Sequence, residues 1–164
     1  RDRLILLDGW SKTYAMTGWR IGFSVWPNEL IEGAIRLAIN CHSCVNAASQ
    51  WGAIAALKGP QTSVLNMVAS FDERRRFLVE ALNAIPGITC KDPVGAFYVF
   101  PNITGSGINS FTLQQELLEK VGVATIAGTS FGKFGEGYLR ISCASPLQNI
   151  RLAVDRIKDY LSCC

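Results

Sequence analysis

Residues 4–22 read Leu4-Ile5-Leu6-Leu7-Asp8-Gly9-Trp10-Ser11-Lys12-Thr13-Tyr14-Ala15-Met16-Thr17-Gly18-Trp19-Arg20-Ile21-Gly22, and the changes of pattern along this stretch indicate the fold. The continuous apolar run from Leu4 to Leu7 stops at Asp8-Gly9, the pattern of a parallel strand covered on both faces. Ser11 to Gly18 is polar and aperiodic, as in a loop. From Trp19 to Trp26 the pattern alternates, with Ile21, Phe23 and Val25 on one face and Arg20, Gly22 and Ser24 on the other, which is strand periodicity.

Ligands bind at the carboxyl ends of the strands in open α/β sheets, and Lys12 lies just past such an end. Between Trp10 and Tyr14 it is expected to be partly desolvated, which favours the neutral amine. A neutral amine attacks an aldehyde and forms a Schiff base. A loop lysine taken alone is most simply a solvated charge, so the inference depends on its neighbours. Arg20 follows eight residues on. Its planar guanidinium can clamp a phosphate through two parallel hydrogen bonds, and the Ser11 hydroxyl can add another. Gly18 and Gly22 would let the backbone approach a bulky ligand closely. The plainer alternatives are a strand-end salt bridge for Arg20 and an ordinary loop hydroxyl for Ser11.

Outward from this stretch, Pro27-Asn28 opens a helix with Leu30, Ile31, Ala34, Ile35 and Ala38 at helical spacing. A second helix is expected over residues 46–58, stopped by Gly59-Pro60. A long helix follows over 61–85, with Val64, Val68, Phe71, Arg75, Leu78, Leu82 and Ile85 along one stripe. At 1.5 Å per residue it reaches about 36 Å, enough to pass from one domain into another. After Pro86-Gly87 the pattern changes to short strands at 88–91, 95–100, 123–127 and 138–143, with a helix over 110–121. The last helix begins at Ser145-Pro146-Leu147-Gln148, where Ser145 is the expected N-cap, Pro146 sits at N1 and Gln148 completes a capping box. The expected organisation is therefore the end of an α/β domain with a mainly parallel sheet over 1–60, an interdomain helix over 61–85, and a small α+β domain over 86–164.

Arg140 interrupts an apolar strand, with Leu139 and Ile141 facing one way and Arg140, Tyr138 and Ser142 the other. A charge among core residues needs a partner. A bound carboxylate matched to the guanidinium fork is one solution; an internal Asp or Glu is the other.

The chain has 164 residues, 49% apolar and 18% charged, which suits a packed core rather than disorder. The net charge is +3 and the longest basic block is Arg74-Arg75-Arg76, read as the solvated face of a helix, so nucleic acid is not implied. No apolar stretch is long enough to span a bilayer, and no signal peptide opens the chain. The start at Arg1, with a strand-like run almost at once, reads as a chain whose beginning lies upstream. Cysteines at 41, 44, 90, 143, 163 and 164 form no disulfide framework; four read as free thiols in a reducing cytosol and the last two as part of a frayed end. Cys41-His42-Ser43-Cys44 has zinc-like spacing without a second pair to complete a site.

The stretch from Ser11 to Gly22 resembles the cofactor-lysine signature of the class I/II aminotransferases of fold type I. Pro93-Val94-Gly95-Ala96-Phe97-Tyr98 is similar to the family's small-domain strand, and residues 123–132 to its valine-containing strand and glycine-rich turn. Tyr138-Leu139-Arg140-Ile141-Ser142 is similar to the strand whose arginine binds the substrate α-carboxylate. The resemblance implies pyridoxal 5'-phosphate as cofactor, bound covalently by Lys12, with Ser11 and Arg20 on its phosphate and Arg140 on the substrate. It implies amino acid and 2-oxo acid substrates, a cytoplasmic homodimer, and an upstream part holding the remaining cofactor contacts, so that this chain alone would be inactive. Residues 40–49 lie where the family places cross-subunit contacts. Arg36, read as a helix-surface residue, is the sole arginine between residues 21 and 58, which weighs against a dicarboxylate-specific enzyme. Two other functions share the scaffold: a carbon–sulfur lyase, and the aminotransferase-like effector domain of a transcription regulator.

Overall fold

Strand β1 (Leu6–Gly9) runs into a single helical turn, α1 (Trp10–Thr13), and the chain returns as β2 (Gly22–Val25). The computed structural model describes residues 2–163, leaving Arg1 and Cys164 outside the described residues, and it divides into two units between Asn66 and Met67. This hairpin belongs to the first. β1 and β2 pair antiparallel, with Leu6 opposite Val25 and Gly9 opposite Gly22. Among the described residues, β1 pairs with β2 alone and in the opposite direction, so no part of the expected mainly parallel sheet is seen within them. A parallel partner needs a long crossover, usually a helix. Residues 10–21 supply only α1 and a 3-10 turn at Thr17–Trp19. An apolar run reports a preference for burial, not the direction of a neighbour, and Leu4, Ile5, Leu6 and Leu7 are exposed here.

The second expected strand also starts later than its alternation suggested. Ile21 is buried, but β2 begins at Gly22 and its residues are exposed. α2 (Asn28–His42) and α3 (Ala47–Lys58) follow. α3 starts where its cap dictates, because the Asn46 side-chain oxygen accepts from the backbone N–H groups of Ala48 (2.9 Å) and Ser49 (3.2 Å). The small core of this unit is Trp10, Met16, Ile21 and Ala53, with Tyr14, Val45 and Ala56 packed against it.

The division between the units falls inside α4 (Thr62–Asn83). In the second unit the helix stripe becomes buried toward its end: Val68 is exposed, whereas Leu78 and Leu82 are fully enclosed. Three short antiparallel strands lie in the order β3 (Tyr98–Val99), β5 (Leu139–Ser142), β4 (Ile126–Ala127). Isolated pairings of Thr89 with Asn102 and of Asn102 with Tyr138 extend this sheet. α5 (Ser110–Val121) and α6 (Leu147–Ser162) contribute Leu113, Leu117, Ile150, Val154 and Ile157 to one core with Val99, Leu139 and Cys143. The strand expected at 88–91 is reduced to the Thr89 pairing, where the Asn83 side chain takes over. Its oxygen accepts from the Cys90 N–H (2.8 Å) and its NH2 donates to the Cys90 carbonyl (2.9 Å).

Two further expectations change. The capping box before α6 does not form: Pro146 itself is the residue before the helix, in extended conformation and with no side-chain cap. The helix thus begins one residue later than expected, which leaves Ser145 too far out to serve. The Arg74-Arg75-Arg76 block is not simply a solvated face. Arg75 is largely enclosed and pairs with Asp92 and, at 2.7 Å, with Asp72. Arg76 pairs with the other Asp72 oxygen at 2.7 Å, and Arg74 lies 5.4 Å from the centre of the Phe71 ring.

Candidate active site

The turn that carries Lys12 is held from behind. Trp10 is buried, its indole N–H donates to the Ala53 carbonyl of α3 (3.2 Å), and its ring meets Phe23 edge-on at 5.3 Å. With its first residue locked in this way, α1 presents Ser11 and then Lys12. The turn closes through Tyr14 N–H to Trp10 (3.1 Å) and Ala15 N–H to Lys12 (3.2 Å). Ala15, at φ 53°, then reverses the chain. Within this chain Lys12 is exposed. The partial desolvation expected between Trp10 and Tyr14 is therefore not seen within this chain.

α3 also grips the far side of the loop. The buried Ser49 hydroxyl donates to the Trp19 carbonyl (3.2 Å). The Trp19 ring lies so close to Gly52 that a Cβ there would come within 2.7 Å of it. Arg20 follows in the left-handed region, at φ 51° and ψ 50°, ahead of β2 and not within it as expected. Holding a side-chain-bearing residue there costs about 1–3 kcal/mol and persists only where the surroundings impose it. Here the anchoring of Trp19 imposes it. The Arg20 guanidinium donates to the Thr17 carbonyl (3.0 Å).

The antiparallel register brings these pieces together. Gly9 faces Gly22, and the end of β1 that leads to Ser11 and Lys12 is the end at which Arg20 enters β2. The close approach of the strands depends on the glycines: a Cβ on Gly22 would sit 3.0 Å from the Asp8 carbonyl oxygen. An open cavity of 940 Å3 lies on the Arg20 side, lined among others by Gly18, Trp19, Arg20, Gly22, His42 and Asn46; Ser11 and Lys12 stand outside its wall. The sequence reading missed Ser49, Gly52 and Ala53 as supports. Their signal was present, since three small residues spaced i, i+3, i+4 mark a helix face that something approaches closely.

In the second unit, Arg140 sits on β5 with Leu139 buried beside it. Among the described residues no Asp or Glu pairs with its guanidinium. Its carbon lies instead 4.3 Å from the centre of the Tyr98 ring and 4.5 Å from that of Phe131. Other candidates are accounted for differently. Arg36 forms an exposed pair with Glu32 at 3.4 Å. Among the described residues no cluster of three or more metal-ligating side chains is found, at Cys41-His42-Ser43-Cys44 or elsewhere. Burial raises the Cys90 and Cys143 thiols above their ordinary range.

The family model for aminotransferase class I and II matches residues 1–157. An aspartate aminotransferase from Pyrococcus horikoshii is 42% identical over 98% of this chain, which covers 41% of that protein. A (5-formylfuran-3-yl)methyl phosphate transaminase from Methanocaldococcus jannaschii is 37% identical, again over 98% of this chain and 43% of the relative. Among solved structures, an aromatic aminotransferase from Pyrococcus horikoshii superposes with a TM-score of 0.94 at 36% identity, over 98% of this chain and 43% of that one. The chain thus spans about two fifths of the length of the relatives it matches. The likeness in sequence and in backbone extends along nearly the whole chain, and it belongs to the class I and II aminotransferase family.

Proposed function

We propose that this chain is the C-terminal portion of a pyridoxal-phosphate-dependent aminotransferase that moves an amino group between an amino acid and a 2-oxo acid, acting as a cytoplasmic homodimer. The observation that carries this reading is the gathering of Ser11, Lys12 and Arg20 at one end of the β1–β2 pair. This donor set fits the cofactor: an exposed amine suits its aldehyde, while a hydroxyl and a guanidinium suit its phosphate. A Cβ on Gly18 would meet nothing within 4 Å, which leaves room for a ring. Relatives of similar identity are named for different substrates, so the reading is set at the class of reaction. Among the described residues five thiols are free, in keeping with a reducing compartment. The exposed Leu30, Ile31 and Ile35 of α2 favour a further interface.

When bound, the cofactor supplies a conjugated ring that takes up the electron pair left by a departing α-proton. In this reading, Lys12 Nζ would hold the cofactor, and its amine would be the base that accepts the proton from the substrate α-carbon. The Arg20 guanidinium and Ser11 Oγ hold the phosphate. Arg140 receives the α-carboxylate in a two-point contact and so orients the bond that breaks. The donors of this chain are one part of the pocket, and by itself the chain turns over no amino acid pair.

Borohydride reduction of the full-length enzyme followed by peptide mapping is expected to place the pyridoxyl group on Lys12. Label on Lys58 or Lys133 would overturn the assignment. Transamination requires the new amino acid to form in step with the 2-oxo acid; ammonia released without an amino acceptor would point to elimination instead.

A further inference from the structure

We infer that Tyr98 and Phe131 are positioning residues, whose rings hold the Arg140 guanidinium ready for the substrate carboxylate. The inference rests on the reading of Arg140 given above. A free arginine side chain carries about 2 kcal/mol of rotamer entropy, and binding is tighter when such freedom is already lost before the ligand arrives. An internal carboxylate could hold the guanidinium in place, but it would also occupy the N–H donors and cancel the charge. Two rings, at 4.3 and 4.5 Å from the guanidinium carbon, attract the cation while accepting none of its in-plane hydrogen bonds. The N–H fork stays available to a planar anion.

Both rings make further aromatic contacts, although Phe131 is 53% exposed. Tyr98 lies opposite Ser142 in the β3–β5 register, and Ser142 shares a strand face with Arg140. The Tyr98 ring is braced by Phe97, 4.3 Å away. Phe131 closes the 3-10 turn Gly128–Phe131 that follows β4, whose Ile126 pairs with Arg140. That turn folds tightly on itself because the backbones of Gly128 and Gly135 touch; a Cβ on either would run into the carbonyl of the other. Phe131 is backed by Phe100 at 6.4 Å, and Phe100 stacks on Tyr138 at 5.2 Å. Arg140 therefore emerges between aromatic rings supplied by β3 and by the turn after β4.

The test is steady-state kinetics in the full-length enzyme for Tyr98→Leu, Phe131→Leu and Tyr98→Phe, each alone and combined with Arg140→Leu. Each leucine variant is expected to lower kcat/KM for the amino acid about 2–30-fold, mainly through KM, with cofactor affinity unchanged. Tyr98→Phe, which keeps the ring, should recover most of the loss. In the Arg140→Leu background neither ring should matter further, since nothing is left to position. If the losses persist at full size in that background, or if cofactor affinity falls with them, the rings act otherwise and the inference fails. It fails also if the leucine variants are silent while Arg140→Leu is impaired, which leaves the carboxylate reading standing. If Arg140→Leu is itself silent, the carboxylate reading falls and the inference with it.

Discussion

Arg20 and Arg140 carry the same charge in opposite kinds of setting. Arg20 sits on strained backbone with a peptide carbonyl as partner; Arg140 sits on regular strand with aromatic partners. Their substitution should therefore separate two functions. Arg140→Leu is expected to lower kcat/KM by roughly 10²–10⁴, the equivalent of breaking a desolvated charge pair worth about 3–5 kcal/mol, with cofactor affinity near normal. Arg20→Gly should do the reverse. It relieves the left-handed strain, so the thermal midpoint should hold or rise, while cofactor affinity falls. Kinetics, cofactor titration and thermal unfolding on both variants check the pair; a stability loss in Arg20→Gly would show that its backbone is unstrained. Spacing singled out Ser11, Lys12 and Arg20 as candidates, and the break in an apolar strand singled out Arg140, because a strand or a loop presents nearby residues in a fixed order. Phe131 as a partner of Arg140 was not legible, since strand register and a glycine-closed turn bring it there.

At the scale of elements, α5 was legible at its observed bounds because both of its ends are written locally. Asn109 accepts from the Thr112 N–H (2.9 Å) at the start, and Gly122 takes φ 67° at the finish. The strands were legible only in outline, because a strand's length is set by its ladder partners. α5 also has a distant cap. The Glu136 carboxylate accepts from the Ser110 N–H (2.9 Å) and hydroxyl (2.8 Å), beside the positive end of the helix dipole. These hydrogen bonds hold the Glu136 carboxyl below its ordinary value of 4.5. A folded value below the unfolded one means stability that is present above pH 4.5 and lost as pH falls through the folded value. Asp72, hydrogen-bonded by Arg75, and Glu116, hydrogen-bonded by Lys120, act with the same sign. Lys120, held protonated by Glu116 and Tyr160, loses its contribution only as pH rises through a folded value above 10.5. Thermal midpoints measured from pH 7 to pH 3 should decline in the wild type and decline less steeply in Glu136→Gln. Parallel curves would show that this cap does not titrate with folding.

Taken whole, the molecule distributes its burial unevenly. The first unit gathers its buried core around Trp10 and leaves the apolar residues of β1 and α2 open to solvent. The second encloses helices α4, α5 and α6 with the β3-β5-β4 sheet. The sequence showed the change of composition near Pro86 but could not show this contrast, since apolar periodicity marks which residues favour burial and is silent on whether anything covers them. The second unit also ends its sheet in an unusual way. Thr89 spends its N–H and carbonyl inward on Asn102, at 3.0 and 2.7 Å. The next peptide groups, those of Cys90, consequently face outward, and both are taken by the Asn83 carboxamide. An outward-facing pair of this kind is where a foreign strand would add and where self-assembly into fibrils would start. One side chain here imitates the missing strand and closes the edge. Asn83→Leu should reopen it, so that heated samples scatter light sooner than wild type at equal concentration; Asn83→Asp, which accepts from Cys90 but cannot donate to it, should fall between. Identical scattering in all three would mean that the edge is guarded by something other than this amide. Resistance to aggregation would then rest, at this edge, on a residue that belongs to a helix and touches no part of the candidate active site.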